Sequence, residues 1–231
     1  MRTAKNPRGN RHIKPKFSVE KAHEAQLRLS KQVIFKDRLP KRIRFVAGVD
    51  VAYVKDIAVG AVAVLDYDSL ALTESQVAFC KACYPYVPTL LSFRETMPAV
   101  MCIRKLKTRA DVFLVDAHGF AHPYRCGFAS HLGLVIRKPT IGVAKKKLVG
   151  EIEGIEAEGD TTFINFEGEL VGAAVTTKHG SKPVYVSVGH MISLKTAIKI
   201  VKHCTKGNRI PEPILEAHTT ATEEKRKINI L

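Results

Sequence analysis

The sequence lacks any apolar run that approaches the roughly 20 residues needed to cross a membrane. Its N-terminus is basic but has no apolar core of the kind that a secretory signal requires. Its five cysteines are odd in number and scattered, which indicates a reducing compartment rather than a disulfide framework. Cys80 and Cys83 have a zinc-like spacing, but no second pair accompanies them, so zinc is not expected. These absences favour a cytoplasmic protein with no membrane partner.

Acidic residues are also few, with 22 aspartates and glutamates against 37 lysines and arginines and a net charge of +15. A polyanion is therefore the expected partner. The alternative is a lysine-rich proteome in which every protein is basic, but residues 1–44 are strongly basic while residues 151–169 are acidic. We interpret this acidic stretch as a solvated or edge hairpin region. We interpret residues 1–16 as a basic flexible arm and residues 17–231 as one domain, because 231 residues with 45% hydrophobic content suffice for one large core.

The first half of the chain predicts three strands. Residues 44–54 are almost wholly apolar, which indicates a strand covered on both faces, and residues 57–67 and 73–83 follow after short turns. This order is typical of an antiparallel meander. Asp50 is the exception within the first strand. Because an unpaired buried carboxylate costs several kcal/mol, we favour a functional role for it over a structural one.

The segment that follows predicts a strand–helix–strand unit. An apolar run at residues 112–115 ends on Asp116, and a second run at residues 140–144 ends on Lys145. A helix at residues 126–137 between them implies parallel strands added to the meander. Open α/β sheets place their chemistry at the C-terminal ends of such strands, where an acid and a lysine would suit a metal ion and a phosphate. The alternative is that Asp116 merely caps a turn.

Helices and a second group of strands complete the predicted fold. Ser18 is a suitable N-cap for a helix that runs to about residue 36 or 37. Glu95 lies near the start of another helix, where a carboxylate often serves the helix dipole alone. The remaining predicted elements are a hairpin at residues 162–166 and 169–177, a strand at 183–188, a helix at 193–203 and a last helix that carries His218.

Three acids stand at ends or turns of elements that such a sheet would bring together: Asp50, Glu95 and Asp116. Clusters of carboxylate oxygens bind Mg²⁺, and a basic protein with such a cluster fits phosphodiester hydrolysis. A meander followed by parallel strands, with an aspartate at mid-sheet, is the pattern of ribonuclease-H-like nucleases. We therefore predict an α/β fold with a ribonuclease-H-like mixed sheet, an antiparallel meander plus parallel strands, flanked by helices.

Five motifs carry a resemblance to a known family: GVDVAY, PYVPTLLSFRE, DAHGFAHPYRCGFASHLG, TIGVAKKKLVG and VSVGHMISL, which begin at residues 48, 85, 116, 140 and 186. In this order they resemble endonuclease V, from about residue 18 to the last helix. The resemblance implies Mg²⁺-dependent cleavage, with Mn²⁺ as a substitute, by a monomeric cytoplasmic DNA-repair enzyme. It implies a nick at the second phosphodiester bond 3′ to deoxyinosine in DNA, leaving 3′-hydroxyl and 5′-phosphate ends.

The resemblance also implies roles for individual residues. Asp50 and Asp116 match the metal-binding aspartates, and Glu95 matches the third catalytic acid. His218 matches the histidine of the last helix, and Lys145 the lysine placed near the phosphate.

The substrate-binding residues implied by the family are Tyr86, Pro85, Gly119 and His122. Tyr86 with Pro85 matches the wedge that separates strands, although a tyrosine packed in a rigid turn is the alternative for Tyr86. Gly119 and His122 fall in the segment that lines the lesion pocket, where backbone N–H groups near Gly119 are candidate donors to a flipped base.

Two positions depart from the family pattern. Thr89 stands where the family often has glycine, which would stiffen the wedge or change which strands it separates. Ala117 stands where glycine is common after the aspartate, which would slightly change the pocket backbone.

Several alternatives stay open at this point. Inosine-containing RNA is the alternative substrate, since both nucleic acids present the same base edge. A non-catalytic nucleic-acid-binding relative and a ribonuclease-H-like enzyme with another substrate, such as a junction, are further alternatives. Among the other histidines, His118 and His131 are expected in the core without an assigned role, and His190 as a helix cap rather than a substrate contact. Solvated surface positions are expected for His12, His23, His179 and His203.

Overall fold

The structure, a computed structural model, describes residues 18–156 and 160–230. Within these residues the helices are α1 (Val19–Ser30), α2 (Leu91–Ile103), α3 (Phe128–Ile136), α4 (Leu194–His203) and α5 (Glu212–Ile230). The strands are β1 (Phe45–Val54), β2 (Ile57–Asp66), β3 (Leu72–Lys81), β4 (Val112–Val115), β5 (Thr140–Ala144), β6 (Glu151–Glu156), β7 (Thr161–Phe166), β8 (Glu169–Val175) and β9 (Val184–His190). They form one sheet in the order β3-β2-β1-β4-β5-β9-β8-β7-β6.

The predicted fold class is confirmed, because the sheet combines an antiparallel meander with parallel strands and carries helices on both faces. β1, β2 and β3 pair antiparallel, and their bounds agree with the predicted strands to within two residues. β1 and β2 are almost continuously apolar because helices cover both of their faces.

The parallel part of the sheet positions the acids. β4 pairs parallel with β1 and β5 pairs parallel with β4, with α2 and α3 as the crossovers. The predicted bounds of both strands, 112–115 and 140–144, are confirmed. Because Val49 of β1 lies opposite Val115 of β4, the next residue of each chain segment, Asp50 and Asp116, emerges at the same level of the sheet.

Two cores lie on the two faces of the sheet. Val49 and Phe113 pack with α2 and α3 in one, whereas Val46 and Leu114 pack with α4 and α5 in the other. Side chains alternate between the faces along a strand, so Asp50 shares the face of Val46 and points towards α5. The position of the Asp50 carboxylate on the α5 face thus follows from the alternation of side chains along β1.

The last four strands, β6 to β9, pair antiparallel. The outer strand of this group, β6, was not predicted as a strand. β9 joins β5 to β8, followed by β7 and β6. β6 at the outer edge lies in the acidic stretch that we interpreted only as a solvated or edge hairpin region. β9 extends beyond its predicted end to His190, whose ring accepts the backbone N–H of Ile34. The expectation that His190 caps a helix is therefore wrong, since Ser193 caps α4.

Helix α1 ends at Ser30, well before the predicted residue 36 or 37. Residues 31–37 are not part of the helix, and polar groups in this segment form hydrogen bonds with other elements, as the N–H of Ile34 does with His190. The Asp37 carboxylate accepts hydrogen bonds from Ser193 and Thr196 at the start of α4. This tertiary contact outweighs the local helical pattern.

Some predictions remain outside what the structure describes. The basic arm at residues 1–16 lies outside the described residues, and its separation from a domain at 17–231 stays a prediction. Of the described helices, none combines the length and apolar character needed to cross a membrane. All five cysteines are free thiols.

Candidate active site

Two aspartates and a histidine converge at the centre of the sheet and form what we call the acidic cluster: Asp50, Asp116 and His218. One ligand atom from each lies within 4.8 Å of the other two. Asp50 comes from the middle of β1, and Asp116 directly follows β4. The Asp50 and Asp116 side chains are only 14% and 12% exposed, so their charges are poorly screened by water.

His218 reaches Asp50 because α5 lies very close to β1. A Cβ atom on Gly48 would lie 1.8 Å from the carbonyl oxygen of Pro213, so only glycine allows this approach. His218 Nδ1 then lies 2.7 Å from Asp50 Oδ2. The ring remains 54% exposed, which leaves its other nitrogen open to solvent.

Glu95 approaches the cluster from α2. Its carboxyl is buried, and burial raises its pKa well above the ordinary value, with further contributions from the negative charges of Asp50 and Asp116. The neighbouring Arg94 offsets part of this effect, and its guanidinium lies 4.1 Å from the centre of the Tyr53 ring. Glu95 is therefore held in an environment that disfavours its ionised form as long as no other positive charge is near.

Lys145 follows β5, and its ammonium group donates a hydrogen bond to Asp116 Oδ2. The pKa of Asp116 is nevertheless raised, because burial and the charge of Asp50 outweigh the opposing effects of Lys145 and His218. The Lys145 side chain is 42% exposed and can also face a phosphate in solvent. Arg209 fixes the start of this segment by donating to the Lys145 carbonyl oxygen at 2.6 Å.

The acidic cluster fits a divalent cation. Asp50 and Asp116 offer carboxylate oxygens, the ligands that Mg²⁺ and Mn²⁺ prefer. The pKa values of Glu95 and Asp116 are raised mainly by burial and further by the negative charges of the neighbouring acids. A cation held by Asp50 and Asp116 would stabilise the ionised form of every acid in the group.

A pocket lies immediately beside the acidic cluster, and we call it the Tyr86 pocket. It has a volume of about 210 Å³, and Ala117 and His118, the two residues after Asp116, form part of its wall. Tyr86 stands at its rim with 69% of its surface exposed. A tyrosine packed in the core, the alternative reading, does not fit this exposure. The lining residues are Tyr86, Val87, Pro88, Thr89, Leu91, Ser92, Ala117, His118, His122, Gly127, Phe128 and Leu148.

The other predicted substrate-binding residues occupy different places around the Tyr86 pocket. His122 lines it, and burial lowers the pKa of its ring to about 4, so the ring is neutral at physiological pH. Pro85 is exposed beside Tyr86 at the rim. Gly119 lies behind the wall, where a Cβ atom would sit 2.2 Å from the Val188 carbonyl oxygen. Its N–H donates to Ser187 Oγ at 2.9 Å, so this amide is already used within the fold.

Helix α1 anchors the loop that carries Tyr86, which the sequence did not predict. Thr89 has a φ of 72°, a conformation that favours glycine, and its hydroxyl is hydrogen-bonded to His23 at 3.0 Å. Gln26, fully buried, donates to the carbonyl oxygens of Thr89 and Cys126. His23 also stacks on Tyr124 at 3.9 Å, so its expected place as a solvated surface residue is wrong. One signal was present in the sequence, a glutamine on the apolar stripe of α1.

The remaining histidines near the Tyr86 pocket are packed. His118 contacts the Lys146 carbonyl oxygen at 2.9 Å, and His131 packs edge-on against Phe93. Burial lowers the pKa of both rings, that of His131 to about 4. Both are thus neutral histidines within the fold.

Comparisons with known proteins agree on one family. The family model of endonuclease V matches residues 27–219. The endonuclease V of Thermofilum pendens is 48% identical over 211 residues, which cover 91% of this chain and 90% of that protein.

Solved structures of the same name also superimpose. The endonuclease V of Streptomyces avermitilis has 34% identity and a TM-score of 0.85, covering 92% of this chain and 95% of that one. That of Ciona intestinalis, in complex with a 24mer DNA containing an inosine followed by a ribo-adenosine, has 34% identity and a TM-score of 0.82 over 91% and 98%. With the matched residues spanning all three acids and the last helix up to His218, this chain belongs to the endonuclease V family.

Proposed function

We propose that this chain is a Mg²⁺-dependent endonuclease that recognises inosine, the product of adenosine deamination, in a nucleic-acid strand. The observation that carries the proposal is the acidic cluster lying directly beside the Tyr86 pocket, so that one protein surface joins a cation site to a base-sized cavity. Membership of the endonuclease V family and the inosine-containing DNA bound by the Ciona relative support it. The proposed reaction is hydrolysis of the second phosphodiester bond 3′ to the inosine, leaving 3′-hydroxyl and 5′-phosphate ends, with a role in DNA repair.

Asp50 and Asp116 would hold the cation, because they are the acids whose oxygens converge with His218. When bound, Mg²⁺ would supply Lewis-acid chemistry to the phosphate, and Mn²⁺ would substitute because it accepts the same oxygen ligands. Glu95 would serve as the third acid, since its carboxyl is coupled electrostatically to both aspartates.

The side chains of the protein would handle charge and protons. Lys145, partly exposed and adjacent to Asp116, would place a positive charge near the phosphate oxygen that becomes more negative during cleavage. His218 Nδ1 lies 2.7 Å from Asp50 Oδ2. With Nδ1–H donating to this carboxylate, Nε2 would be left to accept a proton from a water molecule.

Recognition would depend on a base turned out of the stack into the Tyr86 pocket. The exposed ring of Tyr86, held beside Pro85, can stack on a base or fill the gap that it leaves. Because His122 is neutral, the pocket would distinguish inosine by shape and uncharged hydrogen bonds. Turning out costs less for a mismatched base, which favours the damaged site.

The test is a nicking assay on matched strands that contain deoxyinosine, ribo-inosine or an undamaged base, with Mg²⁺ or with a chelator. We expect nicking of an inosine strand only with Mg²⁺, with the cut at the second bond on the 3′ side. Comparison of the two sugars decides between DNA and RNA as the preferred substrate, since the base edge is the same. Binding without cleavage of any inosine strand would overturn the nuclease proposal in favour of a non-catalytic binding protein.

A further inference from the structure

A basic hollow lies at the end of the sheet opposite to the acidic cluster. It forms where two parallel strands begin, with Arg109 before β4 and Arg137 and Lys138 before β5, and Arg38 closes one side. Asp111 of the hollow and Asp116 of the acidic cluster flank β4 and are five residues apart, which is about 16 Å at a rise of roughly 3.3 Å per residue. A phosphate group in the basic hollow therefore cannot also contact the acidic cluster.

Positive charge in the basic hollow is not balanced by the protein. Four cationic side chains face a single carboxylate, that of Asp111. One oxygen of this carboxylate is used inside the fold, because it accepts the backbone N–H groups of Arg44 and Phe45 at 2.8 and 3.2 Å. No carboxylate of the described residues forms a salt bridge with Arg38, Arg109, Arg137 or Lys138.

The cations are also close enough to disfavour one another. Burial and the positive charge of Arg109 lower the pKa of Lys138, although Asp111 opposes this effect. A concave site walled by protein concentrates such a field, and an anion within it would remove the repulsion. The hollow has a volume of about 520 Å³, enough for a phosphate group together with the atoms attached to it.

We propose that the basic hollow, formed by Arg38, Arg109, Arg137 and Lys138, is a binding site for a phosphate group, distinct from the acidic cluster. Guanidinium groups match the oxygens of a phosphate in pairs, and an ammonium group adds a point charge. The phosphate belongs either to a small free compound or to the backbone of a nucleic acid, and the same chemistry binds both. The site does not depend on the proposed nuclease activity.

The first arm of the test uses pyrophosphate as the probe in isothermal titration calorimetry at low ionic strength. The double variant Arg109→Gln, Lys138→Gln is compared with a control of equal charge loss, Lys195→Gln, Lys199→Gln, whose side chains are exposed on α4. We expect saturable binding to the unchanged chain, at least tenfold weaker binding to the first variant and unchanged binding to the control. Melting curves establish that both variants are folded.

The second arm identifies the source of the phosphate by measuring affinity for an undamaged duplex at several salt concentrations. If the phosphate belongs to nucleic acid, loss of two contacts lowers the slope of log affinity against log salt by about 2. If it belongs to a small compound, pyrophosphate binding is lost and the slope is unchanged. Should Arg109→Gln, Lys138→Gln leave both pyrophosphate binding and the salt slope as in the unchanged chain, the basic hollow is only a solvated surface and the proposal is overturned.

Discussion

The acidic cluster and the Tyr86 pocket are neighbours along the chain, yet they are built on opposite physical principles. Asp116 belongs to the first, and the next residue, Ala117, already lines the second. The cluster gathers acids whose pKa values are raised by burial and by the negative charge of their neighbours. The pocket has largely apolar walls, two neutral histidines and an exposed aromatic ring. The difference teaches that cleavage and recognition should be separable by substitution.

The largest effect should come from the cluster. Asp50→Ala or Asp116→Ala removes an oxygen ligand of the proposed cation, so we expect cleavage to fall by about a thousandfold or more. Affinity for an inosine strand should be retained, because the Tyr86 pocket is unchanged. The measurement is single-turnover nicking together with strand binding, with the exposed Asp56→Ala as a control. Cleavage by either variant near the original rate would remove that residue from the site.

A smaller loss should follow from replacing the lysine at the edge of the cluster. Lys145→Met removes the ammonium group that opposes the raised pKa of Asp116, so that pKa should rise further. We expect nicking at neutral pH to fall by about a hundredfold and its acid limb to move to higher pH. The pH–rate profile is the measurement, and Lys146→Met, one residue along the chain, is the matched control. Equal profiles for Lys145→Met and Lys146→Met would contradict the assignment.

Substitution in the Tyr86 pocket should impair recognition of inosine rather than cleavage. Tyr86→Ala should weaken the preference for inosine strands by about tenfold to a hundredfold, because base–aromatic stacking contributes about 1–3 kcal/mol. The melting temperature should hardly change, since the ring is exposed. Tyr86→Phe keeps the ring and should keep most of the selectivity. Early melting of Tyr86→Ala with unchanged selectivity would contradict the wedge role.

The smallest effect is a pH dependence of stability in the absence of a divalent cation. The folded-state pKa of Glu95 is raised, so its neutral form stabilises the fold at low pH, and this stability is lost as pH rises through the raised pKa. Glu95→Gln should abolish that decline, whereas Glu20→Gln, exposed on α1, should retain it. Each kcal/mol corresponds to about 2–4 °C in melting temperature for a chain of this size. The melting temperature is measured at pH values from about 4.5, the ordinary pKa of a glutamate, upwards. An equal decline of the melting temperature with pH in the unchanged chain and in Glu95→Gln would refute the account of Glu95.

Much of the fold could be predicted from local patterns. β4 and β5 have the predicted bounds because each is a short buried run bounded by a charged residue or proline. α1 was predicted too long because the contacts that end it, from Asp37 to Ser193 and Thr196, are distant in sequence. The outer strand β6 lies in an acidic stretch with few apolar residues, so its hydrophobic pattern did not indicate a strand.

The candidate site was predicted unevenly for a related reason. Asp50 and Asp116 could be identified from the sequence, because each is a carboxylate within or directly after a buried strand. The support of Thr89 by His23 and Gln26 joins residues more than 60 positions apart, which no local pattern records. The four cations of the basic hollow likewise come from three separate segments of the chain.

The most direct test of the central claim is calorimetric titration of Mn²⁺ or Mg²⁺ into the protein without nucleic acid. The account predicts that the unchanged chain and Tyr86→Ala bind the cation with equal affinity, while Asp50→Ala and Asp116→Ala lose that binding. Undiminished cation binding by Asp116→Ala, or its loss in Tyr86→Ala, would contradict the separation of a cation site from a base pocket.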